Sequence, residues 1–149
     1  MKTLSLTSLI LAFSLSIFAQ TKKPVAKPAP KVPVSAAANL KASITAGKAI
    51  YGTYCVSCHM ADGGGVSSMN APLIKTEFVL GPKNRLINIL QKAMQGVEID
   101  GETYTNVMPS ASYLTNKQIA DVLTYVRNNF GNKASAVTVA EVSAARNKK

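Results

Sequence analysis

The chain has 149 residues, which is enough for one domain of ordinary size with extensions. Its formal net charge at pH 7 is +10, yet residues 43–132 carry only seven lysines and arginines against six acidic residues. The excess charge therefore lies towards the termini. Because no basic patch falls within the middle region, a nucleic-acid-binding domain is excluded. Only weak long-range electrostatic steering is expected for that region.

The first 19 residues have the pattern of a secretory signal peptide. Met1-Lys2 precedes an uncharged run that ends in the small residue Ala19. Cleavage is therefore predicted between Ala19 and Gln20. An uncleaved anchor is the alternative, since about 17 uncharged residues are just enough to span a bilayer. In both cases the domain is exported, and the predicted location is the periplasm.

Composition divides the remainder into three parts. Residues 20–42 are rich in proline, alanine and lysine, and are predicted to form a polyproline-like or disordered linker. If the N-terminal run is an anchor, this linker is a membrane tether. Residues 43–132 are predicted to form the folded domain. Residues 133–149 form a basic C-terminal extension, in which a short helix from Thr138 to about Arg146 is expected on the outside of the domain.

The first helix of the domain is predicted over residues 44–54, with Ser43 as its cap. Gly47 and Tyr51 lie four residues apart, and therefore on one face. A glycine within a helix costs about 1 kcal/mol relative to alanine. Its presence therefore suggests that another helix crosses closely there.

This helix leads into Cys55-Val56-Ser57-Cys58-His59. The C-x-x-C-H spacing is typical of a c-type haem attachment site. On one helical turn each thiol can form a thioether to the same porphyrin, and His59 can then bind the iron from one side. The chain contains no further cysteine or histidine.

Three other interpretations of this motif are less favoured. A redox-active dithiol is expected in a βαβ context, which the sequence before Cys55 does not show. A zinc site needs about four ligands, and this motif supplies three at most. A disulfide between Cys55 and Cys58 would close a very small loop and constrain little.

The stretch CVSCHMADGGGV, followed by APL at residues 71–73, resembles the class I cytochromes c. The residues from Ala61 to Val66 are expected to form a flexible turn. The resemblance implies an all-α cytochrome c fold, with helices packed around one covalently bound haem. It also implies that the Pro72 carbonyl accepts a hydrogen bond from His59, and that Gly47 meets Tyr125 where the first and last helices cross.

Four further elements are predicted after this loop. A helix over residues 83–95 begins after Pro82 and stops at Gly96. Asp100-Gly101 predicts a tight turn between two short extended pieces over residues 97–104. Thr115 and Gln118 form a capping box, and the apolar spacing of the helix that follows runs to Phe130, before Gly131.

Met108 is predicted to be the second iron ligand. Met60 adjoins the histidine, Met69 lies in the glycine-rich loop, and Met94 is assigned to the apolar face of a helix. Met108 lies instead in a loop, before Pro109, which stiffens the backbone. The sequence YxxVMP also resembles the axial-ligand loop of the class I cytochromes c.

A haem iron with two protein ligands predicts a one-electron carrier rather than an enzyme. It would pass electrons between exported redox proteins such as a dehydrogenase, a reductase or a terminal oxidase. The alternative is a haem enzyme, or a protein that responds to a gas or peroxide, in which Met108 is displaced. Arg85 is a candidate for binding a haem propionate, and a solvated surface charge is the other interpretation of this residue.

Overall fold

The computed structural model describes residues 36–148, and most of these residues are helical. The elements within this range are α1 (Ala36–Tyr54), α2 (Val56–His59), α3 (Glu77–Leu80), α4 (Lys83–Lys92), β1 (Glu98–Ile99), β2 (Glu102–Thr103), α5 (Asn116–Arg127) and α6 (Val139–Asn147). The predicted all-α class is confirmed. No helix in the described part of the chain is long and apolar enough to cross a membrane. The predicted signal peptide and most of the predicted linker lie outside the described residues.

Helix α1 packs closely against α5 at Gly47. A Cβ atom built on Gly47 would overlap the carbonyl oxygen of Asp121 and lie 2.7 Å from the Cβ atom of Tyr125. The predicted contact between Gly47 and Tyr125 is therefore confirmed. Ser43, which was predicted to cap α1, lies inside the helix. Its hydroxyl donates a hydrogen bond of 2.7 Å to the Asp121 carboxylate, which ties the two helices together a turn away.

Helix α1 begins at Ala36, eight residues before the predicted start. Residues 36–42 were assigned to the proline-rich linker, and this assignment was wrong. No proline occurs between residues 34 and 42, and residues 36–42 contain four alanines, the residue with the highest helix propensity. The average composition of the predicted linker concealed this local change.

Helix α4 also ends where the sequence did not predict. It stops at Lys92, and Ala93 turns the chain with a φ of 70°. The Ala93 amide donates a 3.1 Å hydrogen bond to the Ile89 carbonyl, which satisfies one of the last carbonyls of the helix. Met94 therefore lies in the connection after the helix and not on its apolar face.

The hairpin and the start of α5 agree with prediction. Asp100 and Gly101 have φ values of 52° and 87°, as a two-residue turn between antiparallel strands requires. Both hydrogen bonds of the capping box between Thr115 and Gln118 are present. The end of the helix differs, since α5 stops at Arg127 rather than near Phe130.

Asparagine side chains account for the early end of α5. The Asn128 side chain donates to the Thr124 carbonyl at 2.9 Å, and the Asn129 side chain accepts from the amide of Phe130 at 2.8 Å. Such local side-chain bonds compete with continuation of the helix. The chain then turns at Phe130, which has a φ of 55°.

The C-terminal segment belongs to the core and is not an extension laid on the outside. Helix α6 begins with the predicted capping box at Thr138. However, Val142 is 0% exposed, and α6 packs against α4 and α5. Before the helix, Val137 is buried. Its amide donates to the buried Thr124 hydroxyl at 2.9 Å, and this hydroxyl donates to the Val137 carbonyl at 3.2 Å.

Gly47→Ala should destabilise the protein, because the new methyl group would meet the backbone of α5. Overpacking of this kind costs about 1–3 kcal/mol in the free energy of unfolding. Gly52→Ala is the matched control on the same helix, since a Cβ there meets nothing within 4 Å. This control should be neutral or stabilise by up to about 1 kcal/mol. Denaturant unfolding of the haem-loaded variants measures both, and equal effects would contradict the close packing of α1 on α5.

Candidate functional site

The C-x-x-C-H segment forms a single helical turn directly after α1. The Cys55 amide donates to the Tyr51 carbonyl at 2.9 Å, and the His59 amide donates to the Cys55 carbonyl at 3.0 Å. Cys55 is half-buried and Cys58 is exposed, and no disulfide joins them. Both cysteines and His59 line the same cavity.

This cavity is bounded largely by apolar side chains from several elements. Its walls include Leu86, Ile89 and Leu90 of α4, Val122, Leu123 and Val126 of α5, and Met69, Leu73, Ile99, Val107, Met108 and Leu114 from the connections and the hairpin. An apolar cavity that adjoins two thiols and one imidazole suits a flat, largely apolar macrocycle that is covalently attached. The residues present therefore fit a haem group.

The His59 ring is fixed by a backbone carbonyl. Its Nδ1 atom lies 2.9 Å from the Ala71 carbonyl oxygen. Burial lowers the pKa of His59, which favours the neutral ring. A neutral ring that donates its Nδ1 proton to this carbonyl leaves the Nε2 lone pair available to a metal.

The acceptor was predicted one residue too late. The resemblance pointed to the carbonyl of Pro72, whereas the structure uses the carbonyl of Ala71. A proline restricts the residue before it to extended conformations, so Pro72 fixes the direction in which the Ala71 carbonyl points. This restriction is a signal from which the correct acceptor could have been predicted.

The glycine-rich segment after His59 is closely packed rather than a flexible turn. The Gly65 amide donates to the His59 carbonyl at 3.2 Å, and the Gly63 carbonyl accepts from the Leu73 amide at 2.7 Å. Gly63 and Gly65 have φ values of 74° and 67°, which favour glycine. A Cβ on Gly63 would also lie 2.6 Å from the Phe130 ring.

Three aromatic rings support this side of the site. Tyr51, Tyr125 and Phe130 pack against one another, with centroids 5.4 Å, 5.3 Å and 5.6 Å apart. The Tyr51 hydroxyl donates a 2.6 Å hydrogen bond to the Met60 carbonyl at the end of α2. Burial raises the pKa of Tyr51, so this hydroxyl keeps its proton and remains a donor.

The loop that carries Met108, residues 104–109, is anchored by its backbone. Met108 and Met94 form an antiparallel bridge, in which each amide donates to the other residue's carbonyl, at 2.9 Å and 3.0 Å. Before the bridge, the amides of Thr105 and Asn106 donate to the carbonyls of Ser68 and Met69, both at 3.0 Å.

After the bridge, the chain is fixed to the end of α4. Ser110 donates from its hydroxyl to the Gln91 carbonyl at 2.7 Å, and Ala111 donates from its amide to the Leu90 carbonyl at 2.6 Å. These partners could not be predicted from the sequence, because they are backbone carbonyls and any residue could supply them.

The exclusion of the other methionines was only partly right. Met60 does not line the cavity, in agreement with the prediction. Met94 was excluded because it was assigned to a helix, and this was wrong, since Met94 lies beyond α4 and lines the cavity. Met69 also lines the cavity, although 47% of its surface is exposed.

The alternatives to haem attachment find little support in the site. Burial, followed by the charge of the neighbouring Cys58, raises the pKa of Cys55 to about 11. A redox-active dithiol requires the opposite shift, because the thiolate is the reactive form. Within residues 36–148 no three His, Cys, Asp or Glu side chains are grouped as a zinc site would require.

Arg85 is not part of the cavity wall. Its guanidinium forms a 3.2 Å ion pair with the Glu77 carboxylate, donates to the Glu77 carbonyl at 2.6 Å and lies 4.0 Å above the centre of the Phe78 ring. None of the residues that line the cavity in the described part of the chain is a lysine or arginine. The Arg85 side chain is thus held on the surface by Glu77 and Phe78.

The helical fold and the thiol–imidazole cavity define a c-type cytochrome domain. In agreement, the family model described as Cytochrome c matches residues 44–130, and the chain belongs to the cytochrome c family. Its cofactor is covalently bound haem c, and its function is electron transfer through that haem.

Two kinds of relative are similar to this chain. It is 35% identical over 97 residues to the cytochrome c subunit of an alcohol dehydrogenase (quinone) from Gluconacetobacter polyoxogenes, and equally similar to that of Komagataeibacter europaeus. These matches cover 62% of this chain and 20% of each relative. It is also 29% identical over 108 residues to the fructose dehydrogenase cytochrome subunit of Gluconobacter japonicus, with 68% and 22% covered. The match thus spans about a fifth of each relative.

Covalent attachment can be tested by removing both thiols. In Cys55→Ala/Cys58→Ala the haem should be released completely by acid–acetone extraction, because no thioether can form. Ser57→Ala, which keeps both thiols, is the matched control and should retain all of its haem, as the parent protein should. The measurement is the Soret absorbance of the protein pellet. Haem that washes out of the parent protein would contradict attachment through these cysteines.

Proposed function

We propose that this chain is an exported one-electron carrier in which His59 and Met108 ligate the haem iron. The observation that carries the proposal is the position of the two side chains. Both line the apolar cavity that adjoins Cys55 and Cys58. The His59 ring bonds the Ala71 carbonyl, and the backbone of Met108 is held by its bridge to Met94. The haem supplies the one-electron couple, and the chain determines the environment in which that couple works.

The roles of the ligands follow from their chemistry. His59 offers a neutral nitrogen whose direction is fixed by the Ala71 carbonyl, which also makes it more basic. Met108 offers a thioether, which raises the reduction potential relative to a nitrogen ligand. With both ligands in place no coordination position is open to a substrate. This occupancy disfavours the alternative of an enzyme or a gas-responsive protein.

The cavity wall has two further roles. The apolar side chains of α4 and α5 exclude water, which keeps the local dielectric low and limits reorganisation when the charge changes. At the solvent side, the cavity is bordered by exposed apolar residues, among them Val107 and Tyr113, which are 52% and 66% exposed. A partner could approach the cofactor through this border.

The donor that we propose is a dehydrogenase. The relatives are named as cytochrome subunits of alcohol and fructose dehydrogenases. Since this chain matches about a fifth of each relative, it corresponds to one cytochrome domain of such a protein. Two arguments support export. Residues 1–19 resemble a signal peptide, and c-type haem is attached outside the cytoplasm in bacteria. If the N-terminal run is an uncleaved anchor, the proline-rich sequence after it would tether the domain to the membrane.

Met108→His tests the ligand assignment. An imidazole at position 108 should replace the thioether, so the sulfur–iron band at the red end of the oxidised spectrum should disappear while the haem stays low-spin. The potential should fall by a substantial part of the roughly 0.8 V range that axial ligands control. Met94→Leu is the control and should keep the band. A band that persists in Met108→His would show that another residue supplies the sulfur.

The charge around the cavity gives a second test. Net charge led to the expectation of weak steering, but Glu98, Asp100 and Glu102 are all exposed on one hairpin beside the cavity. Within the described residues none of the three forms an ion pair with a lysine or arginine. A local field can therefore be strongly negative although the domain is nearly neutral.

We expect oxidation by cationic and anionic metal complexes to respond oppositely to salt. The rate with a cationic oxidant should fall several-fold as ionic strength rises, and the rate with an anionic oxidant should rise. In Glu98→Gln/Asp100→Asn/Glu102→Gln both slopes should flatten, whereas Asp62→Asn, which lies outside the cavity wall, should change them little. Stopped-flow rates over a salt series measure this. Unchanged slopes in the triple variant would contradict steering by the hairpin.

A further inference from the structure

Met94 is placed beside Met108 by the geometry of the bridge between them. The two residues exchange both amide–carbonyl hydrogen bonds, so they form a directly opposed pair of an antiparallel ladder. In such a pair the two side chains project to the same face of the ribbon. Both methionines are half-buried and both line the cavity. The wall that supplies the Met108 sulfur therefore supplies a second sulfur.

The turn at Ala93 is what brings Met94 into this position. Had α4 continued, Met94 would have followed the helical path, as its sequence pattern suggested. Instead Ala93 adopts a φ of 70°, a left-handed conformation that is uncommon for residues other than glycine. The chain leaves the helix at this point, and the next residue pairs with Met108.

The chemistry of methionine suits a reserve ligand. Its thioether is neutral at every pH, is a good donor to a soft metal centre, and is carried on three rotatable bonds. Two sulfurs on one wall can therefore serve the same coordination position in turn. The backbone bridge holds both residues in register whichever sulfur is bound.

We propose that Met94 is a second thioether ligand, which binds the haem iron when residue 108 supplies no bound ligand of its own. This inference rests on the assignment of Met108 as the resident ligand. In the exchange the Met108 sulfur–iron bond breaks and a Met94 sulfur–iron bond forms. No proton or electron is transferred, because both donors are neutral thioethers and the iron keeps its oxidation state.

The exchange would keep the haem iron six-coordinate when the Met108 loop is disturbed. Val107, directly before Met108, is among the most exposed apolar residues at the border of the cavity. A partner that contacts this border would press on the loop that carries the resident ligand. Met94 is carried by the end of α4, whose Leu86, Ile87 and Leu90 are buried in the core, and so it is less affected.

The test compares haem-loaded variants by their sulfur–iron band in the oxidised state and their ligand-methionine methyl signal in the reduced state. Met108→Ala should keep both signals, because Met94 supplies the sulfur. Met108→Ala/Met94→Leu should lose both, since leucine keeps the volume of Met94 without its sulfur. Met108→Ala/Met69→Leu is the matched control, as Met69 also lines the cavity, and it should keep both signals.

Each other outcome counts against the proposal. Loss of both signals in Met108→Ala itself would overturn it while leaving Met108 as the resident ligand. Loss only in the variant that also lacks the Met69 sulfur would overturn it in favour of Met69. Loss of the band in the single variant Met94→Leu would overturn both the proposal and the assignment of Met108.

A second substitution covers the case in which Met108→Ala does not fold, as judged by its helical circular dichroism. Met108→Leu keeps the side-chain volume and has no donor atom. It should again show a sulfur–iron band that disappears when Met94→Leu is added. The absence of any such band from folded Met108→Leu would count against Met94 as a ligand.

Discussion

The hydrogen bond between His59 and the Ala71 carbonyl is the constraint on which the site depends. It fixes the orientation of the imidazole. The loop that supplies this carbonyl also holds the segment that carries Met108. Within that loop, Ser68 and Met69 accept hydrogen bonds from the segment that leads to Met108. The Asn106 side chain also donates to the Asn70 side chain at 3.0 Å. One short loop therefore sets the position of both proposed ligands, and a change in it would be felt by both.

The packing of α1 on α5 supports that loop from behind. Because Gly47 lacks a side chain, the helices approach closely enough for Tyr51 to reach Tyr125. The same rings meet Phe130, which in turn packs on Gly63 beside the haem-binding turn. The close crossing of α1 and α5 thereby fixes the position of the residues that follow His59. The glycine therefore contributes to the site although it lies outside the cavity.

Short-range signals explain what could be predicted from the sequence. The C-x-x-C-H spacing, the capping boxes at Thr115 and Thr138, and Asp100-Gly101 each depend on a few neighbouring residues, and the structure has the helices and turn they indicated. The predictions that were wrong concern backbone groups or segments in which two conformations compete. Nothing in the identity of Ala93 indicated a left-handed turn, and so Met94 was assigned to a helix. The Ala71 carbonyl was missed because a carbonyl acceptor has no sequence signature, apart from the proline after it.

The C-terminal segment shows how a part that looked peripheral completes the cavity. The family match ends at residue 130, yet Arg146 of α6 donates to the carbonyls of Leu114 and Ser112, at 2.6 Å and 3.0 Å. Leu114 lines the cavity and follows the Met108 loop by a few residues. The wall that holds Met108 is therefore fixed at one end by the loop before Pro72 and at the other by α6. Arg146, which was predicted to lie in a basic extension on the outside of the domain, therefore donates hydrogen bonds that hold the wall of the haem cavity.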